Sequence, residues 1–424
     1  MHTLKEIYQD DEERNFIDPS LYSRYRVKAG LRNDNGTGVK VGLTKICDVI
    51  GYKIIHEKKY NIDGQLIYRG YPINYLVNKQ PSDKICGFEE TAYLLIFGTL
   101  PNADQLKTFK DYLLNFKMGP VDLQYETPNI LNALQIEVLK LYAKDPSADT
   151  DDLEERMMKG LKILASIPLF TFSYARNKVF KSYPYPDRSL AENILCMARG
   201  NDQYTFEEAK IMDTLLMVHA DHGGGNNSTF ANVVISSTGT DIYSCISAAI
   251  GSLKGPKHGG ANCKVTNMFK AIFHEVGFTT DKATLKKIAN RLLDKDFFDH
   301  SGLIYGIGHA IYTKSDPRAL LIHEQCEALA KSKGQEEIYN CIHAFEKVAI
   351  EVMKERKGID VCANVDYYSG YVYSLLGIES DLFTPLFAIS RTAGWVSHHL
   401  ENRQSNRKLI RPANVYVGEM EEIK

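Results

Sequence analysis

Apolar stripes of helical period with recognisable ends are the feature of this sequence that most restricts its fold. Residues 88–97 read FEETAYLLIF, and Gly98 then suits the left-handed position that follows a helix. Asp316-Pro317 combines an N-cap with proline at the first helical position, and an apolar stripe follows. These segments predict a mostly helical chain.

Strand patterns are confined to one region near the N-terminus. Residues 52–60 and 66–68 read as short strands, with Asp63-Gly64 as the expected turn between them. Together with the helical stripes, this predicts an all-α fold with a small N-terminal β element.

The length of the chain bears on its domain organisation. At 424 residues a single core is not expected, so two domains are predicted. Residues 1–40 are polar and are broken by Asn-Asp-Asn-Gly at 33–36, which indicates an arm rather than a domain.

Composition excludes several classes of protein. The net charge is −2, from 51 Lys and Arg against 53 Asp and Glu, so a nucleic-acid binder is not expected. The longest uncharged apolar stretch, residues 242–253, is about half of what a bilayer crossing needs. The first residues, MHTLKEIYQDDEER, carry no apolar leader, and the eight cysteines contain no C-x-x-C pair. We therefore expect a cytoplasmic protein with reduced thiols.

Residues 222–253 contain a single charged residue, Asp241, and are flanked by glycine-rich loops that carry histidine. Polar groups beside such a charge-poor core are where pKa values can be tuned. Five segments combine glycine with histidine, arginine or aspartate and are candidates for the site: HADHGGGNNS from 219, GPKHGGAN from 255, YGIGHAIY from 305, KSDPR from 314 and NVDYYSG from 364. Two arginines near the C-terminus, Arg391 and Arg411, add to these candidates.

Three of these candidate residues have structural alternatives that the sequence leaves open. His222 beside Gly223 suits a helix C-terminus. His258, with glycine on both sides, could belong to a turn, although a turn does not need a histidine there. Asp366 could cap a helix that begins near Tyr368.

Arg318 is the most informative single residue. It occupies the second position of a predicted helix, where the helix dipole is already positive. A cation there costs stability unless an anion lies between it and the backbone amides. Arg318 therefore indicates a carboxylate or phosphate ligand.

Other chemistries fail on missing residues. His219-x-Asp-His222 resembles a metallohydrolase zinc pattern, but Met217 stands where the first ligand should be. Gly306-x-Gly308 lacks the third glycine of a dinucleotide site, and no phosphate-binding P-loop or G-x-S-x-G motif occurs. No metal and no cofactor are expected. A metallohydrolase and a helical scaffold without activity remain as alternative classes.

What remains is a metal-free set of histidines, one aspartate and three arginines. Arginine binds carboxylates in forked pairs, so three arginines indicate a di- or tricarboxylate substrate. An aspartate base with histidine donors suits proton abstraction next to a carbonyl group. These residues predict carbon–carbon bond formation on an oxo-dicarboxylate.

Four of these five segments together resemble the citrate synthase family, most closely its bacterial members: GPKHGGAN, GIGHAIY with KSDPR, and NVDYYSG. The similarity runs from about Val41 to the C-terminus and includes Tyr68-Arg-Gly-Tyr-Pro72. The resemblance implies a helical homodimer whose two domains close over the site. It places the large domain at 41–261 and 369–424 and the small domain at 262–368.

The resemblance also implies the reaction, in which acetyl-CoA, oxaloacetate and water give citrate and CoA. Asp366 is then the base that removes the methyl proton of the thioester. His258 holds the thioester oxygen as the enol or enolate forms. His309 polarises the ketone of oxaloacetate and protonates the new alkoxide.

The remaining roles follow from the same resemblance. Gly306, Gly308, Lys314 and Asn364 are candidates for contacts with CoA, which is a substrate here and not a cofactor. Arg411 is expected to complete the partner subunit's site. The oxaloacetate ligands implied are His222, Arg318, Arg391 and Arg411.

Two features depart from the family pattern or leave it open. Thr313 stands where many relatives carry a basic residue facing a CoA phosphate. The arm does not resemble the β-rich domain linked to NADH inhibition in large bacterial members. A 2-methylcitrate synthase using propionyl-CoA remains the alternative, because one methylene is worth only about 1–3 kcal/mol in a pocket.

Overall fold

The structure is a computed structural model that describes residues 16–119, 123, 127–405 and 408–418. Residues 44–409 form one compact unit, and residues 1–43 with 410–424 are grouped in a second. The domain boundaries expected at 41, 262 and 369 stay predictions. No helix among the described residues is long and apolar enough to cross a membrane.

Helices dominate the described chain, as the sequence predicts. The described residues contain sixteen α-helices and one three-stranded antiparallel sheet in the order β1-β2-β3. The helices are α1 (Ser20–Arg24), α2 (Ile73–Asn78), α3 (Gly87–Phe97), α4 (Ala103–Leu114), α5 (Ile130–Ala143), α6 (Leu153–Ala175), α7 (Leu190–Arg199), α8 (Phe206–His219), α9 (Asn227–Ser236), α10 (Ile242–Leu253), α11 (Ala261–Val276), α12 (Lys282–Leu293), α13 (Pro317–Ser332), α14 (Glu336–Lys357), α15 (Val365–Leu375) and α16 (Phe383–Gln404). The strands are β1 (Cys47–Ile55), β2 (Lys58–Tyr68) and β3 (Tyr71–Pro72).

The helix ends follow the sequence signals closely. Gly98 ends α3 in the left-handed region, with φ 87°. Asp316 caps α13, and its carboxylate accepts from the amide of Arg318. The all-α prediction is confirmed.

The hairpin turn differs from the expected one. β1 and β2 are joined at His56-Glu57, where both residues have positive φ, of 47° and 64°. Asp63-Gly64 lies inside β2, next to a β-bulge. The expectation that Asp63-Gly64 forms the turn is therefore wrong, because glycine in a strand can also mark a bulge or a close backbone approach.

α16 lies at the centre of the core. It is buried along most of its length, including Trp395, and packs against α3, α6, α8, α9 and α10. α10 is buried on nearly all sides, as its lack of charge predicts. α9 differs, because the side chains it buries are polar: Ser228, Thr229, Asn232 and Ser236.

In the second unit, the described residues of the arm contain α1 and a short 3-10 turn at Ala29–Leu31. A bridge between Arg32 and Gly38 closes the Asn-Asp-Asn-Gly segment. The acidic residues 10–14 lie outside the described residues.

Candidate active site

The site is organised around His222, three residues beyond the end of α8. The structural alternative of a histidine in the last turn of the helix applies to His219 instead. His222 is buried, and its Nε2 has no hydrogen-bond partner in the described chain. Its ring centroid lies 5.1 Å from that of His309. Burial, and then the charge of Arg318, hold the pKa of His222 well below its usual range, so the ring is neutral.

His258 lies in the loop between α10 and α11 and is held by side chains of two helices. Its Nε2 lies 3.0 Å from Ser228 Oγ on α9. Trp395 on α16 donates its Nε1–H to the same oxygen at 3.2 Å. The serine hydroxyl in turn donates to Asn226 Oδ1 at 2.9 Å, and its oxygen has a second lone pair for an N–H at His258 Nε2. Ser228 thus fixes the position of the ring, and these contacts do not determine which ring nitrogen carries the proton.

The ring of His258 stays neutral in this setting. Burial, and then the charge of Arg391, lower its pKa to about 4. A neutral imidazole carries one N–H and can donate one hydrogen bond to an oxygen.

His309 is held from the opposite direction by backbone groups. Its Nδ1 accepts from the amides of Ile311 and Tyr312, both at 3.1 Å. A nitrogen that accepts two N–H groups carries no proton in the neutral ring, so the proton is on Nε2. Tyr312 stacks on the ring, with centroids 4.6 Å apart. His309 therefore presents a donor at Nε2.

The loop of His309 is joined to the segment before α15 by backbone bonds. Ile307 and Ala363 form a bridge, and the amide of Gly308 donates to the carbonyl of Cys362 at 2.8 Å. Asn364 donates from Nδ2 to the carbonyl of Gly308 at 2.8 Å. Its Oδ1 accepts from the amide of Asp366 and so caps α15.

Asp366 is therefore not a helix cap, because Asn364 takes that role and α15 already begins at Val365. No described residue forms a hydrogen bond with its carboxylate. Burial raises the pKa of Asp366 to about 7, although Arg318 and Arg391 lower it. A base with a pKa near neutrality suits proton transfer.

Arg318 has an anion within its own chain. Its Nε and Nη2 donate to the two carboxylate oxygens of Asp316 at 3.0 and 2.7 Å, and both residues are buried. The helix-dipole argument for an external ligand is therefore weaker than the sequence suggests, because the N-cap carboxylate already compensates the charge. Arg318 stays a predicted oxaloacetate ligand.

Arg391 on α16 has buried hydrogen-bond donors that no described residue accepts from. It is fully buried, and its Nε donates to the carbonyl of His219 at 2.6 Å. Nη1 and Nη2 have no partner among the described residues. The nearby carboxylate of Asp221 is bound to Nε2 of His398 at 3.0 Å. A buried guanidinium with two unsatisfied nitrogens is suited to a carboxylate ligand.

These six residues share one electrostatic environment. Arg318, His309, Arg391 and His258 all act on the pKa of His222, and Arg318 and Arg391 both act on Asp366. Across this same region, a family model described as citrate synthase, C-terminal domain, matches residues 33–413 of the chain. The chain belongs to the citrate synthase family.

Curated relatives agree with this assignment. Citrate synthase of Haloferax volcanii is 37% identical over 386 residues, which cover 87% of this chain and 94% of the relative. The 2-methylcitrate synthase 1 of Corynebacterium glutamicum is 33% identical over 366 residues, covering 83% and 89% of the two chains.

A solved structure is also similar. It is the ternary complex of carboxymethyl coenzyme A and oxaloacetate with citrate synthase from Thermoplasma acidophilum, which superposes with a TM-score of 0.75 at 26% identity, covering 91% of this chain and 96% of that one. The present chain is thus an enzyme of the citrate synthase type, an acyltransferase that converts an acyl group into an alkyl group on transfer.

The structure gives less support to the residues expected to contact CoA. Gly306 and Gly308 have φ of 82° and 100°, so backbone conformation already accounts for both glycines. Lys314 is exposed and lines a cavity of about 580 Å³ with Thr313, Lys347 and Lys354. The contacts of these residues with CoA stay predictions.

Arg411 lies in the second unit. It is exposed, and the described residues 408–417 around it form no helix or strand. Its role in a partner's site also stays a prediction.

Sequence reasoning missed three residues of the site. Ser228 and Trp395 hold His258, and Asp316 holds Arg318. Asp316 was visible as an N-cap, and its spacing from Arg318 could have indicated the ion pair. The approach of Ser228 to Trp395 joins α9 to α16 and had no local signal.

Proposed function

We propose that this chain condenses acetyl-CoA with oxaloacetate and water to give citrate and free CoA. The observation that carries the proposal is the buried guanidinium of Arg391, with two unpaired nitrogens, beside a carboxylate of raised pKa and two neutral imidazoles. These side chains fit a substrate that has two carboxylates and a ketone. The condensation would use side chains and no metal, and CoA would enter as part of the acyl-CoA substrate.

Oxaloacetate would bind first through its carboxylates. Arg391 offers two free donors in forked geometry. Arg318 would add a second contact while Asp316 keeps it oriented. His222, neutral and with an unpaired Nε2, would contribute a hydrogen bond without repelling or attracting charge.

Proton removal from the thioester methyl would need two residues acting together. Asp366 would take the proton, since burial makes its carboxylate a stronger base than an exposed one. His258 would donate a ring N–H to the thioester oxygen as negative charge develops there. Neither group alone suffices, because a thioester methyl is a weak acid.

The enol or enolate carbon would then attack the ketone of oxaloacetate. His309 carries its donor at Nε2, because two backbone amides occupy Nδ1. It would polarise the ketone before attack and give its proton to the alkoxide afterwards. Water would finally hydrolyse the citryl thioester and release CoA.

Lys314 is the basic residue that would take a phosphate contact of CoA. Thr313 replaces the basic residue of many relatives, and the cavity that both residues line carries three lysines and three carboxylates: Lys314, Lys347, Lys354, Glu351, Glu355 and Asp360. Because these charges balance and Lys354 is paired with Asp360, the contact would depend on the exposed Lys314 itself. Gly306, Gly308 and Asn364 would offer backbone and amide groups to the adjoining part of the molecule.

The alternative acyl substrate is propionyl-CoA, and the similarity to 2-methylcitrate synthases keeps it open. A thiol-release assay with each acyl-CoA, with and without oxaloacetate, tests both. We expect CoA release only when oxaloacetate is present and a higher kcat/KM with acetyl-CoA. A preference for propionyl-CoA would favour the alternative, and no release with either would reject both.

We infer a homodimer from the apolar outer surface of α9. Phe230, Val233, Val234 and Ile235 are only partly covered, although they are the apolar residues of this helix. Ile136 is exposed on α5, and α10 packs against both α5 and α9. A two-fold copy of the chain would cover such an apolar surface.

Arg411 would then complete the site of the partner. The test mixes Asp366→Asn protein with Arg411→Leu protein after subunit dissociation and reassembly. Each parent homodimer should be nearly inactive, whereas a mixed dimer would contain one site with both residues intact. Recovered activity would support the shared site. No recovery after confirmed exchange would mean that Arg411 serves its own subunit.

A further inference from the structure

The β1–β2 hairpin touches the loop that carries His309 through two glycines. Strand pairing passes from Ile50↔Gln65 to Tyr52↔Asn61, so Gly51 sits at a bulge opposite residues 62–64. A Cβ on Gly51 would lie 2.4 Å from the carbonyl oxygen of Ile311. A Cβ on Gly64 would lie 2.1 Å from the carbonyl oxygen of Ser315.

These approaches, rather than backbone conformation, explain why glycine occupies both positions. Neither residue has a positive φ, so another amino acid could adopt either conformation. The opposing atoms belong to backbone, and they cannot move aside as the end of a long side chain could. Ordinary contact begins at about 3.4 Å, so one methyl group would displace the loop by about 1 Å.

Hydrogen bonds fix the same contact. The amide of Gly64 donates to Ser315 Oγ at 3.1 Å, and the Tyr312 hydroxyl donates to the carbonyl of Gln65 at 3.2 Å. The loop is thus bound to the hairpin by two adjacent residues of β2.

The peptide that Gly51 braces is also the one that orients His309. The carbonyl of Ile311 and the amide of Tyr312 belong to a single planar peptide group. That amide donates to His309 Nδ1 at 3.1 Å, while its carbonyl lies against Gly51. Rotation of the peptide would move both ends at once, so contact at Gly51 limits how the N–H can turn.

We propose that Gly51 and Gly64 are positioning residues for His309. They let the hairpin hold the 311–316 backbone at the one distance that directs the Tyr312 amide at Nδ1 and leaves the proton on Nε2. This inference rests on the proposed function, in which His309 acts on the ketone of oxaloacetate.

The test compares Gly51→Ala and Gly64→Ala with Lys53→Ala, an exposed neighbour in β1. Displacement of the loop should lower kcat on the order of 10-fold to 100-fold, because errors of about 1 Å in positioning carry costs of that size. The KM for oxaloacetate should change less than about threefold in Gly51→Ala, because this glycine contacts Ile311 and not the segment that holds Arg318. In Gly64→Ala the KM should also rise, because Ser315 precedes Asp316, which orients Arg318. Lys53→Ala should match wild type. Alanine variants that fold and keep kcat within twofold would overturn the proposal.

A second measurement does not depend on turnover. Hydrogen exchange of the 309–317 peptides should be faster in both glycine variants, while peptides from α16 exchange as in wild type. Unchanged exchange at 309–317 would overturn the proposal. If wild type released no CoA with either acyl-CoA, the proposed function would fail, and this measurement would still show whether the hairpin braces the loop.

Ser315→Ala covers the case in which the glycine variants do not fold. It removes the acceptor for the Gly64 amide without adding an atom. We expect faster exchange at 309–317 and a decrease of kcat of about threefold, as for one hydrogen bond of modest strength. Wild-type exchange and wild-type kcat in this variant would both count against the bracing role.

Discussion

The two sides of the candidate site are held in different ways. His258 is fixed by side chains on helices, through Ser228 Oγ and the indole of Trp395. His309 is fixed by backbone amides in a loop, and the backbone of Ile307 is paired with that of Ala363. The orientation of His258 should be lost when a side-chain atom that holds it is removed. The orientation of His309 should be more sensitive to an atom that is added.

This difference suits the two proposed tasks. The enolate side needs one donor aimed at an oxygen on a flexible acyl chain, and a side-chain relay supplies it. The ketone side must hold a chosen tautomer, and two amides at Nδ1 of His309 do so directly. The predictions below test this contrast, beginning with the base that starts the reaction.

Asp366→Asn should have the largest effect, because it keeps the shape of the site and removes the base. We expect kcat to fall on the order of 10³-fold. Oxaloacetate affinity, measured by titration calorimetry, should stay near wild type. Asp294→Asn is the matched control, since this exposed aspartate is paired with Arg356. Loss of oxaloacetate binding with turnover intact would contradict the role of base.

Arg391→Lys should come next. Lysine keeps the positive charge but cannot supply the forked pair of donors that Nη1 and Nη2 offer. We expect oxaloacetate affinity to fall on the order of 10²-fold, which corresponds to the loss of one or two charge-assisted hydrogen bonds. Arg403→Lys on the same helix, bound to the exposed Asp151, should bind oxaloacetate like wild type. Equal affinity in the two variants would remove Arg391 from the ligand set.

Ser228→Ala tests the side-chain relay. It leaves His258 Nε2 and Trp395 Nε1 without a shared partner, so kcat should fall about tenfold while oxaloacetate affinity stays unchanged. Ser236→Ala on the same helix is the control, because its buried hydroxyl has no partner among the described residues. The emission of Trp395, the single tryptophan of the chain, should shift in the first variant only. Identical kinetics in both variants would mean that the relay does not orient His258.

The sequence predicted most of the fold, because helix boundaries are written locally. The cap at Asp316 and the glycine stop at Gly98 each need only a few neighbouring residues. The hairpin turn was missed because Gly64 has two possible reasons to be glycine, and only the position of Ser315 decides between them.

The same division holds for the site. His258, His309 and Asp366 could be chosen from their glycine-rich surroundings and from the family resemblance. The bond from Ser228 to Trp395 could not, because 167 residues separate them and only the packing of α9 on α16 brings them together. Long-range contacts between ordinary residue types leave no local pattern.

The smallest expected effect concerns the dependence of stability on pH, to which Asp366 and His258 should contribute with opposite signs. The pKa of Asp366 is raised from 3.8 to about 7, so between these values the folded protein keeps a proton that the unfolded chain releases. Its contribution to the free energy of unfolding therefore decreases as pH rises from about 4 to about 7. The pKa of His258 is lowered from 6.5 to about 4, so there the unfolded chain binds the extra proton and stability increases with pH.

Urea unfolding followed by circular dichroism, without substrates, measures both contributions as differences from wild type. The free energy of wild type minus that of Asp366→Asn should decrease between pH 4.5 and pH 7.5, the window set by the raised pKa of about 7. The free energy of wild type minus that of His258→Gln should instead increase up to about pH 6.5 and then level off. Other buried acids, such as Asp213 with its pKa raised to about 8, contribute equally to every protein and cancel in each difference. Two differences with the same sign of slope would contradict either the raised pKa of Asp366 or the lowered pKa of His258.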